Sequence, residues 1–239
     1  METSEFILAD KYLSEIYKYL YGRLDDIVSE WNSGGTIIEI GCGPGISKLF
    51  VKRVITTDID GSVRPDICLD ANHLPFSDKS IAGIVMKDSL HHLPDVETFL
   101  DEAHRVLIDE GGIAIIDPYW GFLARFVYKY IHQEKYDVSS PTWSFNSLSP
   151  WDSNQALSFL ILRRDRDKVN QQWPNFRVQE HCPLLGPSFL LSGGISRRTS
   201  IPGSWLKKLF DWENRQGKWL NPFRFEYLYS LKKIPVTPI

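Results

Sequence analysis

Residues 36–46 read TIIEIGCGPGI, an apolar run followed by an acidic residue and three glycines at alternate positions. Thr36, Ile37, Ile38 and Ile40 are β-branched, which suits a short buried strand, and Asn32, Ser33, Gly34 and Gly35 are turn residues that bound it. Gly41, Gly43 and Gly45 let the backbone turn tightly and clear side chains from the path of a ligand. The pattern predicts a helix beginning at Ile46 or Ser47. A glycine turn between a parallel strand and a helix is where open α/β sheets bind nucleotides.

The spacing argues against NAD. A dinucleotide fingerprint has Gly or Ala three residues after its second glycine, where helix and strand pack closely; here that residue is Ile46. Glu39 adds a second objection. A carboxylate two residues before the first glycine repels a pyrophosphate but attracts an ammonium or a sulfonium. A cationic cofactor fits better.

Gly41 and Asp58 are 17 residues apart, close to the spacing at which an acidic residue on the second strand reaches a ribose diol. An anionic carboxylate accepts two hydrogen bonds from a vicinal diol better than a neutral side chain does. Asp60 competes for this role, with a turn-forming role as its alternative.

On these residues the sequence resembles the class I S-adenosylmethionine-dependent methyltransferases, over roughly residues 37–119. The resemblance implies S-adenosyl-L-methionine as cofactor, held by Glu39, Gly41, Cys42, Gly43 and Gly45 at the turn and by Asp58 and Ile59 after the second strand. It further implies that Asp70 bonds the adenine amino group, that Ala71 offers a backbone contact, and that Lys87 lines the same site. The run Leu90-His91-His92-Leu93 resembles the segment after the fourth strand in methyltransferases of the ubiquinone and menaquinone type, which faces the methyl group. His91 and His92 are therefore the catalytic candidates, because an imidazole titrates near neutrality. Their structural alternative is packing that holds the loop. Asp88, Asp117 and Tyr119 reach toward the same edge, each with a solvated or structural role as its alternative.

The predicted fold is α/β: a doubly wound, mostly parallel seven-stranded sheet of the Rossmann-like methyltransferase type. Leading helices over 1–34 precede a cofactor-binding core over 35–119. Residues 120–239 supply acceptor-side helices, a helical cap and the last two strands of the same domain. Strands are expected at 53–57, 67–69, 81–86, 113–116, 176–181 and 225–231, with helices over 47–52, 96–107 and 120–136. Gly111 and Gly112 are read as the end of the helix over 96–107 before the fifth strand. Asp152 or Ser153 caps a further helix to about Gln172. The connection before the last strand carries Phe189, Trp205, Phe210, Trp212 and Trp219. It reads as a cap over the acceptor or as the contact of a homodimer. Arg197 and Arg198 would form an anion site if the cap folds inward.

The 239 residues, 43% hydrophobic and 24% charged, describe an ordinary globular protein. A net charge of -3 without a basic stripe gives no pull toward nucleic acid. Cys42, Cys68 and Cys182 are scattered and odd in number, which suits a reducing compartment, so the cytoplasm is the expected location. No apolar run reaches the roughly 20 residues of a membrane span. No HExxH, paired Cys-His ligands, Walker loop or GxSxG occurs, so no metal site is expected and hydrolase readings lack residues. The expected function is methyl transfer to oxygen or carbon of a small-molecule or lipid-linked acceptor. Its rivals are a non-catalytic cofactor-binding or scaffold subunit and an NAD(P)-dependent oxidoreductase.

Overall fold

The computed structural model describes residues 3–31, 34–132, 134–146, 152–194 and 199–235. Seven strands form one sheet: β1 Ile37–Ile40, β2 Val54–Asp58, β3 Ile67–Cys68, β4 Ile81–Lys87, β5 Leu107–Pro118, β6 Phe176–Leu184 and β7 Glu226–Lys233. Their order is β3-β2-β1-β4-β5-β7-β6. The pairs among β1 to β5 are parallel, and β7 lies antiparallel between β5 and β6. This is the class I methyltransferase arrangement, with strand order reversing on either side of β1, where a crevice opens beyond the carboxyl ends.

Burial follows the two-residue period of a strand. Ile38, Ile40, Ile84, Met86, Ile113 and Ile115 face a core built with Phe99, Leu100 and Ala103 of α3 (Val96–Val106). Ile37, Val85, Ala114, Ile116 and Leu228 face the opposite core, closed by α2 (Lys11–Glu30). Helix α2 follows the short α1 (Thr3–Ala9) and is started by Asp10, whose carboxylate accepts the amides of Tyr12 at 2.9 Å and Leu13 at 3.0 Å. Asp10→Ala is expected to cost about 1 kcal/mol and lower the thermal midpoint by about 2–4 °C, measurable by circular dichroism.

Several expected elements differ in form. The helix predicted from residue 47 is instead a single 3-10 turn, Ile46–Leu49; Arg53 then enters β2 at φ 58°. The two glycines do not terminate α3. Instead β5 begins directly at Leu107, and Ile81 pairs with Leu107 while Gly83 pairs with Gly112, so residues 108–111 bulge. At Gly112 a Cβ would stand 2.5 Å from the Leu231 carbonyl oxygen, so the glycine serves close strand approach. The helix expected over 120–136 shortens to α4, Phe122–Tyr130. The one expected from Asp152 or Ser153 begins at Leu157 and is broken into α5 (Leu157–Phe159), a π turn (Leu160–Arg164) and α6 (Arg166–Gln172).

The connection before β7 holds α7 (Pro187–Ser192), α8 (Gly203–Arg215) and a 3-10 segment (Lys218–Phe223). Phe210 of α8 meets Tyr12 and Tyr19 edge-on, at centroid distances of 6.5 and 5.3 Å, so this segment buttresses α2. Glu213 accepts the Ser188 amide at 2.7 Å and its hydroxyl at 2.6 Å, tying α8 to α7. Arg197 and Arg198, with the anion site expected of them, lie outside the described residues. No helix among the described residues is long and apolar enough to cross a membrane.

Candidate active site

The carboxyl ends of the parallel strands surround a cavity of about 530 Å³. Its walls bring together Gly41 and Gly43 after β1, Asp58, Ile59 and Asp60 after β2, Asp70 and Ala71 after β3, and Asp88, Ser89 and His92 after β4. Residues separated in sequence converge because parallel strands deliver their carboxyl ends to one edge.

The glycines have different jobs. At Gly41, with φ +70°, a Cβ would stand 2.6 Å from the Ser89 Cβ, so only glycine lets the loops after β1 and β4 meet. Ser89 Oγ donates to the Ile40 carbonyl at 2.8 Å and locks that meeting. Gly43 and Gly45 also have positive φ, but a Cβ on either would enter open space. Gly43 N–H donates to Asp58 Oδ2 at 2.9 Å, and Asp60 N–H donates to Asp58 Oδ1 at 3.0 Å. One carboxylate thus pins the glycine turn to the end of β2. Asp60 caps its own turn, accepting the Ser62 amide at 2.8 Å. Asp70 similarly accepts the Asn72 amide at 2.9 Å while bordering the cavity.

Glu39 and Cys42 are buried and do not line this cavity. Glu39 accepts a hydrogen bond from Tyr21 at 2.8 Å and another from Ser47 Oγ, joining α2 to the turn. Burial pushes the Glu39 carboxyl up to about 7 despite those two hydroxyls and the Lys87 charge. Lys87 is likewise enclosed, paired with Asp88 and lying 5.2 Å over the Tyr17 ring. Burial opposes the Lys87 ammonium, but Asp88, Tyr17 and Glu226 outweigh it and hold its pKa above the ordinary value.

His91 and His92 form the 3-10 turn Leu90–His92, with ring centroids 4.3 Å apart. The His91 ring is buried; its Nδ1 lies 2.8 Å from Asp117 Oδ1 on β5, and its Nε2 lies 3.8 Å from Glu134 Oε2. His92 Nε2 lies 4.0 Å from the same Glu134 oxygen. Ser153 Oγ donates to Glu134 Oε2 at 2.6 Å, and Gln155 Nε2 donates to it as well. Burial disfavours the imidazolium at both positions. At His91 the carboxylates of Asp117, Asp88 and Glu134 reverse the effect and raise the pKa. At His92 burial and the neighbouring His91 together lower it.

Asp117 is therefore a fully buried partner of His91, whereas Tyr119 stacks on Tyr227 at 5.2 Å, away from this pair. Glu134, Ser153 and Gln155 were not legible as site residues. They reach the histidines from residues 134–155, where the pattern predicts a helix end and a helix cap but no site motif. Glu134 and Ser153 line a wide depression on the side away from the glycine turn, while His92 lines the cofactor-sized cavity. Across the 4.0 Å between His92 Nε2 and Glu134 Oε2 the linings of the two spaces come near each other, whereas His91 lines neither. None of the described residues of α7 or α8 lines either space; residues of the segment around Glu134 and Ser153 line the depression.

Residues 38–115 match the family described as a methyltransferase domain, a span that runs from β1 into β5. Among solved structures, the YcgJ protein of Bacillus subtilis is similar at 17% identity and TM-score 0.52, covering 91% of this chain and 100% of that one. A SAM-dependent methyltransferase from Archaeoglobus fulgidus is similar at 17% identity and TM-score 0.50, with 90% and 93% covered. The CurJ carbon methyltransferase aligns at 13% identity and TM-score 0.51, covering 90% of this chain and 54% of that one. These likenesses agree with the sheet order and the glycine turn, and they define a class I methyltransferase fold. Over residues 38–115 the chain is thus similar to the methyltransferase-domain family, and its sheet has the fold of the S-adenosylmethionine-dependent methyltransferases.

Proposed function

We propose that the chain methylates an oxygen or an activated carbon of a small or amphiphilic acceptor, with S-adenosylmethionine in the 530 Å³ cavity and the acceptor in the depression beside Glu134. The observation that carries this reading is the 4.0 Å approach of His92, on the cavity, to Glu134, on the depression. Asp58 takes the ribose diol, Asp70 the adenine amino group, and the backbone of Gly41, Gly43 and Ala71 the faces of the cofactor. Glu39, Cys42, Gly45 and Lys87 act from behind the wall, holding the turn and the end of β4 in place. Ile59 supplies apolar cover at the rim, where it is 64% exposed.

Methyl transfer from a sulfonium is an in-line displacement, so the protein supplies position and, for a hydroxyl acceptor, a place for the proton. His92 Nε2 is the acceptor of that proton. Its lowered pKa keeps it neutral at pH 7, and it borders the cofactor cavity. His91 and Asp117 position it. The leading helices, the core and the acceptor-side segment act as one domain in this scheme. A lipid-linked acceptor and a homodimer are compatible with the exposed Trp205, Trp212 and Trp219.

Calorimetric titration with S-adenosylmethionine, S-adenosylhomocysteine and NAD tests the assignment. Saturable binding of both adenosyl ligands and none of NAD is expected, followed by turnover in a screen of hydroxylated and enolisable acceptors. Binding of NAD alone would overturn it, and adenosyl binding without turnover on any acceptor would favour a scaffold subunit. Asp70→Ala is expected to weaken S-adenosylmethionine about tenfold, the loss of one charge-assisted hydrogen bond.

A further inference from the structure

We propose that His91, His92 and Glu134 form a binding site for one divalent first-row transition-metal ion, of the Mn²⁺, Fe²⁺, Co²⁺ or Zn²⁺ class. One ligand atom from each residue lies within 4.8 Å of the others. Both Nε2 atoms converge on the same Glu134 oxygen, at 3.8 and 4.0 Å. Metal–nitrogen and metal–oxygen bonds of about 2.0–2.2 Å span such a triangle after side-chain movements of well under an ångström. Two imidazoles and a carboxylate with open positions are the donor set of first-row divalent ions.

Two further observations point the same way. Asp117 holds His91 Nδ1 at 2.8 Å from its carboxylate, and a proton donated there leaves the Nε2 lone pair aimed at Glu134. This carboxylate–histidine arrangement orients metal ligands elsewhere in protein chemistry. Glu134 is held in turn by Ser153 and Gln155, so its carboxylate is preset although it lies on a connecting segment. Asp88, Asp117 and Glu134 also surround the His91 ring with negative charge, which favours a cation between them.

Glu134 and Asp117 lie outside residues 38–115, so the site is not a property of the matched domain span. Its position gives it a use. An ion here faces the depression and the cofactor cavity at once, and its open positions would hold an oxygen of the acceptor beside the methyl group. That use rests on the proposed function above; the site itself does not. The simpler role for these three side chains is a hydrogen-bonded cluster that fixes the loop after β4.

The test is titration of the chelator-stripped, tag-free chain with Co²⁺, followed by visible absorption, and with Mn²⁺, followed by calorimetry. One equivalent of Co²⁺ with an absorption band shifted from that of the hydrated ion is expected. Glu134→Gln and His92→Gln should each weaken it at least about tenfold, and Glu134, which does not line the cofactor cavity, should leave S-adenosylmethionine affinity within twofold when replaced. Thermal melts establish that each variant is folded; the exposed edge of His92 makes His92→Gln the safer of the two. Absence of Co²⁺ and Mn²⁺ binding by the parent chain overturns the site. So does binding that both variants leave unchanged, which assigns the cluster to loop fixation. Metal binding without S-adenosylmethionine binding would sink the cofactor reading alone.

Discussion

Asp58→Ala is expected to raise the dissociation constant for S-adenosylmethionine about a hundredfold while leaving the fold intact. The carboxylate has two tasks on the proposed arrangement. It accepts the amides of Gly43 and Asp60, at 2.9 and 3.0 Å, which holds the glycine turn over the end of β2. Its remaining lone pairs accept the ribose diol. Each charge-assisted bond contributes about 1.5–3 kcal/mol, so removing both ligand bonds costs about 3 kcal/mol or more, close to two decades in affinity. Asp58→Asn keeps one acceptor oxygen and is expected to lose about tenfold. Asp60→Ala is the control. That side chain bonds the Ser62 amide at 2.8 Å, so its loss loosens a surface turn and should change affinity only a few-fold. Calorimetry that found Asp60→Ala more damaging than Asp58→Ala would transfer the ribose contact to Asp60.

These residues also mark how far the sequence could be read. Strand β1, its glycine turn and the acidic residues after β2 and β3 are local signals, each a few residues long, and the parallel topology carries them to one edge. The sheet therefore follows from its pattern. What lay beyond reach depends on contact between distant segments. Gly111 and Gly112 look like a helix stop, yet they are needed because β4 and β7 approach the β5 backbone closely. Phe210 of α8 looks like part of an acceptor lid, yet its packing partners are Tyr12 and Tyr19 of α2. Glu134 had no signal at all: only the fold brings it to histidines 42 and 43 positions earlier in the chain. Glu39 was legible as an acid near the turn, but its burial beneath that turn was not.

That burial has a measurable consequence. Glu39 is fully buried, its carboxyl is pushed up to about 7, and an unfolded glutamate titrates near 4.3. Burial is the larger cause, and the hydroxyls of Tyr21 and Ser47 recover only part of the cost. A carboxyl raised in the folded state makes its strongest contribution to stability at low pH, where both states are protonated. As pH rises from about 4 through 7 the unfolded chain ionises first, so folding loses on the order of 3 kcal/mol, with little further change from this group above pH 8. The pKa values of buried His91 and Glu226 are also raised, His91 by its neighbouring carboxylates and Glu226 by burial, so the parent curve alone does not isolate Glu39. Glu39→Gln does. Glutamine accepts the Tyr21 hydroxyl through its oxygen and donates to Ser47 through its nitrogen, and it does not ionise. The advantage of the variant over the parent chain is expected to widen by about 2–3 kcal/mol from pH 5 to pH 8 in urea unfolding. A difference that stays constant with pH would mean that Glu39 is ionised throughout, with its charge already compensated by Lys87 at the end of β4.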